Sequence, residues 1–327
     1  MPVISMPQET LESNTYIDLQ PVIGRSFHLK CEGFNFAGSI KMRTAAGLIA
    51  AAERDGLLGP DSVLIESSSG NLGLAIAAIA ANRGLRFVCV TDPKCNRATR
   101  SLLHALGAEV VVVSEKDGEG GHLGVRLAYV RAECARDPRY VWLNQYANQA
   151  SWVSHYETTA PELAKDFPEL DVLFVGAGTG GTLMGCARYF QDNGHPARIV
   201  AVDAAGSVSF GGLSGRRMIP GLGASVRPEL LDPSLVDDVV RVSEADTIRC
   251  CRALARHGFL LGGSTGTVVS GALQWLRRED PERGLRVAAI SPDFADRYAH
   301  TIYDDSWVIE NFGAEVLEVP PALGAEN

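Results

Sequence analysis

Short apolar runs alternate with helix-length stretches along most of this chain, and that rhythm limits the possible folds more than any other feature. Strands are expected at 63–66, 85–91, 109–114, 141–144, 172–175, 198–203, 239–242 and 287–290. Several are apolar at nearly every position, the pattern of parallel strands covered on both faces. Helices are expected between them at 42–55, 72–82, 98–106, 121–136, 151–166, 182–192, 244–257 and 266–278. A parallel strand needs a long crossover to return beside its neighbour, and a helix is the usual one. The alternation therefore implies an α/β fold with parallel sheets flanked by helices. With 327 residues, 46% of them hydrophobic, the chain can build one large or two medium domains.

Charge and cysteine use narrow the class. A net charge of −9, without a dense Lys/Arg run, argues against a nucleic-acid partner. The N-terminus does not read as a secretory signal, and no apolar run reaches the roughly 18 residues of a membrane span. The seven cysteines form no CxxC pair, so reduced, buried thiols in a cytoplasmic protein are expected. Residues 206–223 read as a long Gly/Ser-rich loop near a site. The tail at 320–327 is expected to fray.

Lysine is scarce: five residues against 25 arginines. A lysine amine can lose its proton and attack a carbonyl, which a guanidinium cannot. Lys41, in Gly38-Ser39-Ile40-Lys41, precedes an apolar helical stretch and suits a Schiff-base lysine. Three polar glycine loops follow, each between an apolar run and a helix. In Gly176-Ala177-Gly178-Thr179-Gly180-Gly181, with Asp203 about 20 residues on, a dinucleotide site of an NAD-dependent dehydrogenase is one reading. Any phosphate satisfies the same loop, because glycines let N–H groups approach an anion at a helix N-terminus. Ser67-Ser68-Ser69-Gly70-Asn71 suits a carboxylate or a polar ring substituent, although taken alone it is better explained as a plain helix cap. Gly262-Gly263-Ser264-Thr265-Gly266 is the third. A phosphate cradle, a carboxylate loop, an amine and a neutral hydroxyl together describe a pyridoxal phosphate site.

In this order the motifs, with Asn144-Gln145-Tyr146 and Gly221-Leu222-Gly223-Ala224, resemble the cysteine synthase/cystathionine β-synthase family over roughly residues 15–310. The resemblance implies fold-type II pyridoxal phosphate enzymes with a two-domain, tryptophan-synthase-β-like α/β fold. It also implies a smaller mobile domain at 36–146, and a larger domain formed by 1–35 and 147–327. Lys41 would hold the cofactor and Asn71 its ring 3-hydroxyl. Gly178, Thr179, Gly180, Gly181 and Thr182 would hold its phosphate, and Ser264 its pyridine nitrogen. A neutral serine there would favour β-elimination over transamination. Ser68, Ser69 and Gln145 would bind the substrate carboxylate, and the enzyme would be a homodimer acting on amino acids.

Further segments, among them Trp152-Val153-Ser154-His155-Tyr156 and Asp296-Arg297-Tyr298, are similar to the glutamate-using branch of the family. That branch condenses O-phospho-L-serine with L-glutamate through an aminoacrylate and feeds 2,3-diaminopropionate and siderophore biosynthesis. Lys41 would move the Cα proton in both directions. Arg126, in Gly120-Gly121-His122-Leu123-Gly124-Val125-Arg126, would take the leaving phosphate, with Arg216, Arg217 and Arg227 as weaker candidates. As a solvated helix residue, Arg126 would have no such role. Tyr146 would contact the incoming amine, or be an aromatic core residue. Two departures stand out. Met42 replaces the family's usual Asp, and Gly178-Thr179-Gly180-Gly181-Thr182 is closer to cysteine synthase, which uses sulfide with O-acetylserine or O-phosphoserine. A catalytically dead family member is a third reading.

Overall fold

The computed structural model describes residues 3–12, 14–116, 121–318 and Leu323. Gly120 and all of the tail at 320–327 except Leu323 lie outside the described residues. The strands, in chain order, are β1 Tyr16–Asp18, β2 Phe27–Cys31, β3 Val63–Ser67, β4 Arg86–Thr91, β5 Glu109–Val112, β6 Tyr140–Trp142, β7 Val172–Gly176, β8 Arg198–Ala204, β9 Asp238–Val242 and β10 Val287–Ser291. The chain divides into two compact units, one of residues 1–13 and 34–154, the other of 14–33 and 155–327.

The first unit holds a four-stranded parallel sheet in the order β5-β4-β3-β6. Strand β3 is buried at every position. Its residues alternate between two cores, as strand geometry requires. Leu64 packs with Phe87, Leu48 and Ile76 in one cluster, while Val63 and Ile65 pack with Val88, Val90 and Val130 in another. The chain steps outward from β3 through β4 to β5, then crosses back to place β6 on the other side of β3. Strand order thus reverses at β3 and β6, and the loops leaving their carboxyl ends diverge around a crevice. Ligands bind there in open α/β sheets.

The second unit repeats the device. Its sheet runs β1-β2-β10-β7-β8-β9, with only β1 antiparallel to its neighbour. Here the order reverses between β7 and β10. The helix Gly263–Glu279 packs closely over this sheet: a Cβ at Gly271 would meet Val202 Cγ1 at 2.6 Å. Trp275 of the same helix is buried edge-on to Phe174, with ring centroids 5.5 Å apart.

Several features differ from the sequence expectation, among them the helix Asp305–Phe312, which it did not include. The helix expected at 151–166 is two helices, Ala150–Glu157 and Thr159–Asp166, broken at Thr158, where φ is −128°. Strand β1 was not foreseen, and β2 was not among the expected strands although the segment around Lys30 is strand-like in sequence. Strand β2 carries His28 and Lys30 between buried Phe27, Leu29 and Cys31. The Lys30 amine is satisfied internally, 2.8 Å from Glu162, 2.8 Å from Asn14 Oδ1 and 3.4 Å from Glu32. A charge at that position is stable only because it is paired.

If the close approach at Gly271 is a packing requirement, Gly271→Ala should cost about 1–3 kcal/mol in urea unfolding, the usual cost of overfilling a tight core. An unchanged midpoint would show that the helix shifts freely.

Candidate active site

Lys41 is the first residue of the helix Lys41–Arg54. The turn before it is built by Asn35, whose Oδ1 accepts from Ala37 N at 3.0 Å and whose Nδ2 donates to Ser39 O at 2.9 Å. Gly38 sits at φ +64°, a conformation that favours glycine. Burial pushes the Lys41 amine down to about 8 from 10.5, so a nucleophilic fraction exists near neutral pH. Met42 is fully buried in the apolar cluster with Ala45, Leu48 and Leu72. An Asp at this position would place a carboxylate in that cluster, which accounts for the methionine.

The loop after β3 turns directly into the helix Asn71–Arg83. Ser68 Oγ accepts from Gly73 N at 3.0 Å and Gly70 N at 3.3 Å, which shapes the first helical turn. Ser69 and Asn71 are partly exposed. Gln145, in the loop after β6, is buried and donates from Nε2 to Ser67 O at 3.0 Å. Both loops lie at the strand reversal, so Ser68, Ser69, Asn71, Gln145 and Tyr146 gather at the carboxyl ends of β3 and β6. Burial pushes the Tyr146 hydroxyl up to about 12, partly opposed by Arg126.

Arg126 is buried on the helix Leu123–Arg136, not a solvated surface residue. Its Nε lies 3.3 Å from Asp92 Oδ2, while Nη1 is buried and has no hydrogen-bond partner among the described residues. A buried guanidinium N–H without a hydrogen-bond partner is uncommon. The helix start is tethered by His122, whose Nδ1 lies 2.8 Å from Glu115 O. Asn35, Asp92 and Glu66, which end or precede turns, were missed by sequence reasoning.

In the second unit the loop after β7 enters the twelve-residue helix Gly181–Asp192. Gly180 has φ +94°, and a Cβ at Gly178 would meet Gly221 O at 3.0 Å. The Thr179 hydroxyl is buried without a hydrogen-bond partner among the described residues. Thr182 Oγ1 lies 3.3 Å from His155 Nε2, and His155 Nδ1 lies 2.9 Å from Thr159 Oγ1. Thr159 bonding can therefore fix the ring so that Thr182 keeps its proton for an anion. Ser264 is buried in the first turn of the helix Gly263–Glu279, and a Cβ at Gly221 (φ +114°) would overlap its hydroxyl. Tyr298, next to Ser264, donates to Asp293 Oδ2 at 2.9 Å. Asp203 is fully buried at the end of β8 and accepts from Ala204 N at 2.9 Å, so no ribose reaches it. Of the weaker arginines, Arg217 bonds within its loop to Gly206 O and Ser225 Oγ, while Arg216 and Arg227 are exposed.

The family described as "Pyridoxal-phosphate dependent enzyme" matches residues 12–293. The chain belongs to that family. It is 42% identical over 301 residues to the N-(2-amino-2-carboxyethyl)-L-glutamate synthase of Ralstonia nicotianae, covering 90% of this chain and 88% of the relative. It is 39% identical over 306 residues to the enzyme of the same name from Cupriavidus metallidurans, covering 92% and 90%. Among solved structures, O-ureido-L-serine synthase superposes with a TM-score of 0.85 at 31% identity, over 95% of this chain and 96% of that one. The O-acetylserine-dependent cystathionine β-synthase of Helicobacter pylori gives 0.82 at 28%, over 93% and 100%. The fold is that of the fold-type II enzymes, and the cofactor is pyridoxal phosphate. The nicotinamide and dead-protein readings fall away.

The residues of this enzyme fit the cofactor. The Gly178–Thr182 loop offers helix-terminal N–H groups and the unpaired Thr179 hydroxyl, as a phosphate requires. Lys41 offers an amine of lowered basicity, and Ser264 a buried neutral hydroxyl.

The Lys41 amine titrates lower in the folded chain than in the unfolded one, so the folded state disfavours its charge. That penalty is complete below about pH 8 and relieved as pH rises towards 10.5. Lys41→Met apoprotein should therefore exceed wild-type apoprotein in stability by about 1–3 kcal/mol at neutral pH, with the gap closing in alkali. A pH-independent gap in thermal melts would contradict this origin.

Proposed function

We propose that this enzyme condenses O-phospho-L-serine with L-glutamate to give N-(2-amino-2-carboxyethyl)-L-glutamate and phosphate. The observation that carries the reading is Arg126, a buried cation with an unpaired Nη1 in the unit that also holds the carboxylate loop. Although Asp92 balances its charge, the open Nη1 can donate to a phosphate oxygen, which a dianionic leaving group needs more than acetate does. The names of the relatives supply the acceptor and product.

Pyridoxal phosphate, when bound, supplies the electron-accepting ring that makes the substrate Cα–H acidic. The second unit supplies Gly178, Thr179, Gly180, Gly181 and Thr182 to its phosphate and Ser264 to its ring nitrogen. Asn71 would take the ring hydroxyl. Ser68, Ser69 and Gln145 bind the substrate carboxylate and so fix the direction of the Cα–H bond. Lys41 takes the Cα proton as phosphate departs from Cβ onto Arg126. Glutamate then adds through its amine at Cβ, beside Tyr146, and Lys41 returns a proton to Cα. The product is a precursor of 2,3-diaminopropionate in siderophore biosynthesis. The seven free cysteines, six of them buried, support a cytoplasmic setting. No helix among the described residues is long and apolar enough to cross a membrane. The family resemblance supports a homodimer.

Mass spectrometry of products formed from O-phosphoserine, O-acetylserine, glutamate and sulfide offered together should show the glutamate adduct as the main product. Cysteine as the main product would replace this reading with cysteine synthase. Arg126→Gln should raise KM for O-phosphoserine about tenfold to a hundredfold, as loss of a buried charged contact does, with little effect on glutamate.

A further inference from the structure

Glu66 is the penultimate residue of β3 and has no exposed surface. Its Oε1 accepts from Ser67 N at 2.9 Å and its Oε2 from Gln145 N at 3.3 Å. The nearby Asn144 N–H also favours its ionised form. Asn144 has φ +53°, a left-handed conformation that the surroundings must support. Gln145 donates back to Ser67 O, closing a ring of bonds between the loops after β3 and β6. Those loops carry Ser68, Ser69 and Gln145, yet no step of the reaction above uses Glu66.

We propose that Glu66 is a positioning residue for the substrate carboxylate, its ionised side chain pinning the turn at Asn144 and Gln145 against the loop at Ser67. The inference rests on the reading of Ser68, Ser69 and Gln145 as the carboxylate site. Protonation would turn an acceptor oxygen into a donor facing N–H groups, and the turn would lose its hold. Burial pushes the Glu66 carboxyl up to about 7, which brings that loss into the working range of pH. The titratable groups facing it are Cys89, Cys134 and Tyr146, all raised, Tyr146 to about 12, with Arg126 and Asp92 acting on Tyr146 in turn. The two thiols and the phenol therefore stay neutral where Glu66 changes charge.

The test titrates holoenzyme with L-serine, which carries no phosphate of its own, and reads binding from the visible absorbance of the cofactor. Glu66→Gln should weaken serine about tenfold relative to wild type near pH 8, and the ratio should shrink towards one near pH 5.5, where wild-type Glu66 is itself neutral. A ratio near one at the higher pH, or one that does not change with pH, overturns the proposal. Wild-type holoenzyme that shows no response to serine overturns the carboxylate reading together with it. Should Glu66→Gln not load cofactor, Glu66→Asp decides. It should bind serine more weakly than wild type and keep the acid loss, and affinity equal to wild type at both pH values overturns the proposal.

Discussion

Everything in this molecule follows from the reversal of strand order in two parallel sheets. A parallel sheet is covered by crossover helices, and the cover opens only where consecutive crossovers depart in opposite directions. At that point strands end, helices begin, and backbone N–H groups face outward without partners. In the first unit the opening lies at the ends of β3 and β6, in the second at the ends of β7 and β10. Glycines and hydroxyl residues gather at both openings, as an anion site would need. The proposed carboxylate and phosphate contacts are one structural solution used twice.

Around these openings the chain buries charge selectively. Lys30 is buried with two carboxylates, and Arg25 with Asp280, so both serve as internal ion pairs. Arg126 is ion-paired with Asp92, yet its Nε and Nη1 and the Thr179 hydroxyl have no hydrogen-bond partner among the described residues. Burial lowers the Lys41 pKa to about 8. Glu66 is bonded on both oxygens yet raised towards neutrality by its burial.

The helix starts at Lys41, Asn71 and Gly181 were legible because each follows a glycine-containing loop after an extended or apolar run. The family was legible from the order of those loops, since no single one decides it. Other features left no local trace. Glu66 reads as the polar last position of a strand, and its second partner is 79 residues away. Arg126 lies on a helix with Arg131 and Arg136, and only packing separates the buried one from the others. Strand β2 was obscured by His28 and Lys30, whose polarity is offset by contacts distant in sequence. The break at Thr158 did carry a signal, because Pro161 suits the first turn of a new helix better than the middle of a long one. Met42 was visible as a departure, and its reason, a closed apolar cluster, was not.

The central claim is that Lys41 carries the cofactor in a site built by these loops. Borohydride reduction of the holoenzyme fixes the bond between pyridoxal phosphate and its lysine, and peptide mapping then reads the position among five lysines. The account predicts the pyridoxyl group on Lys41, stoichiometric and blocked when Lys41 is replaced by alanine. A label on Lys30, Lys94, Lys116 or Lys165, or none at all, would contradict it.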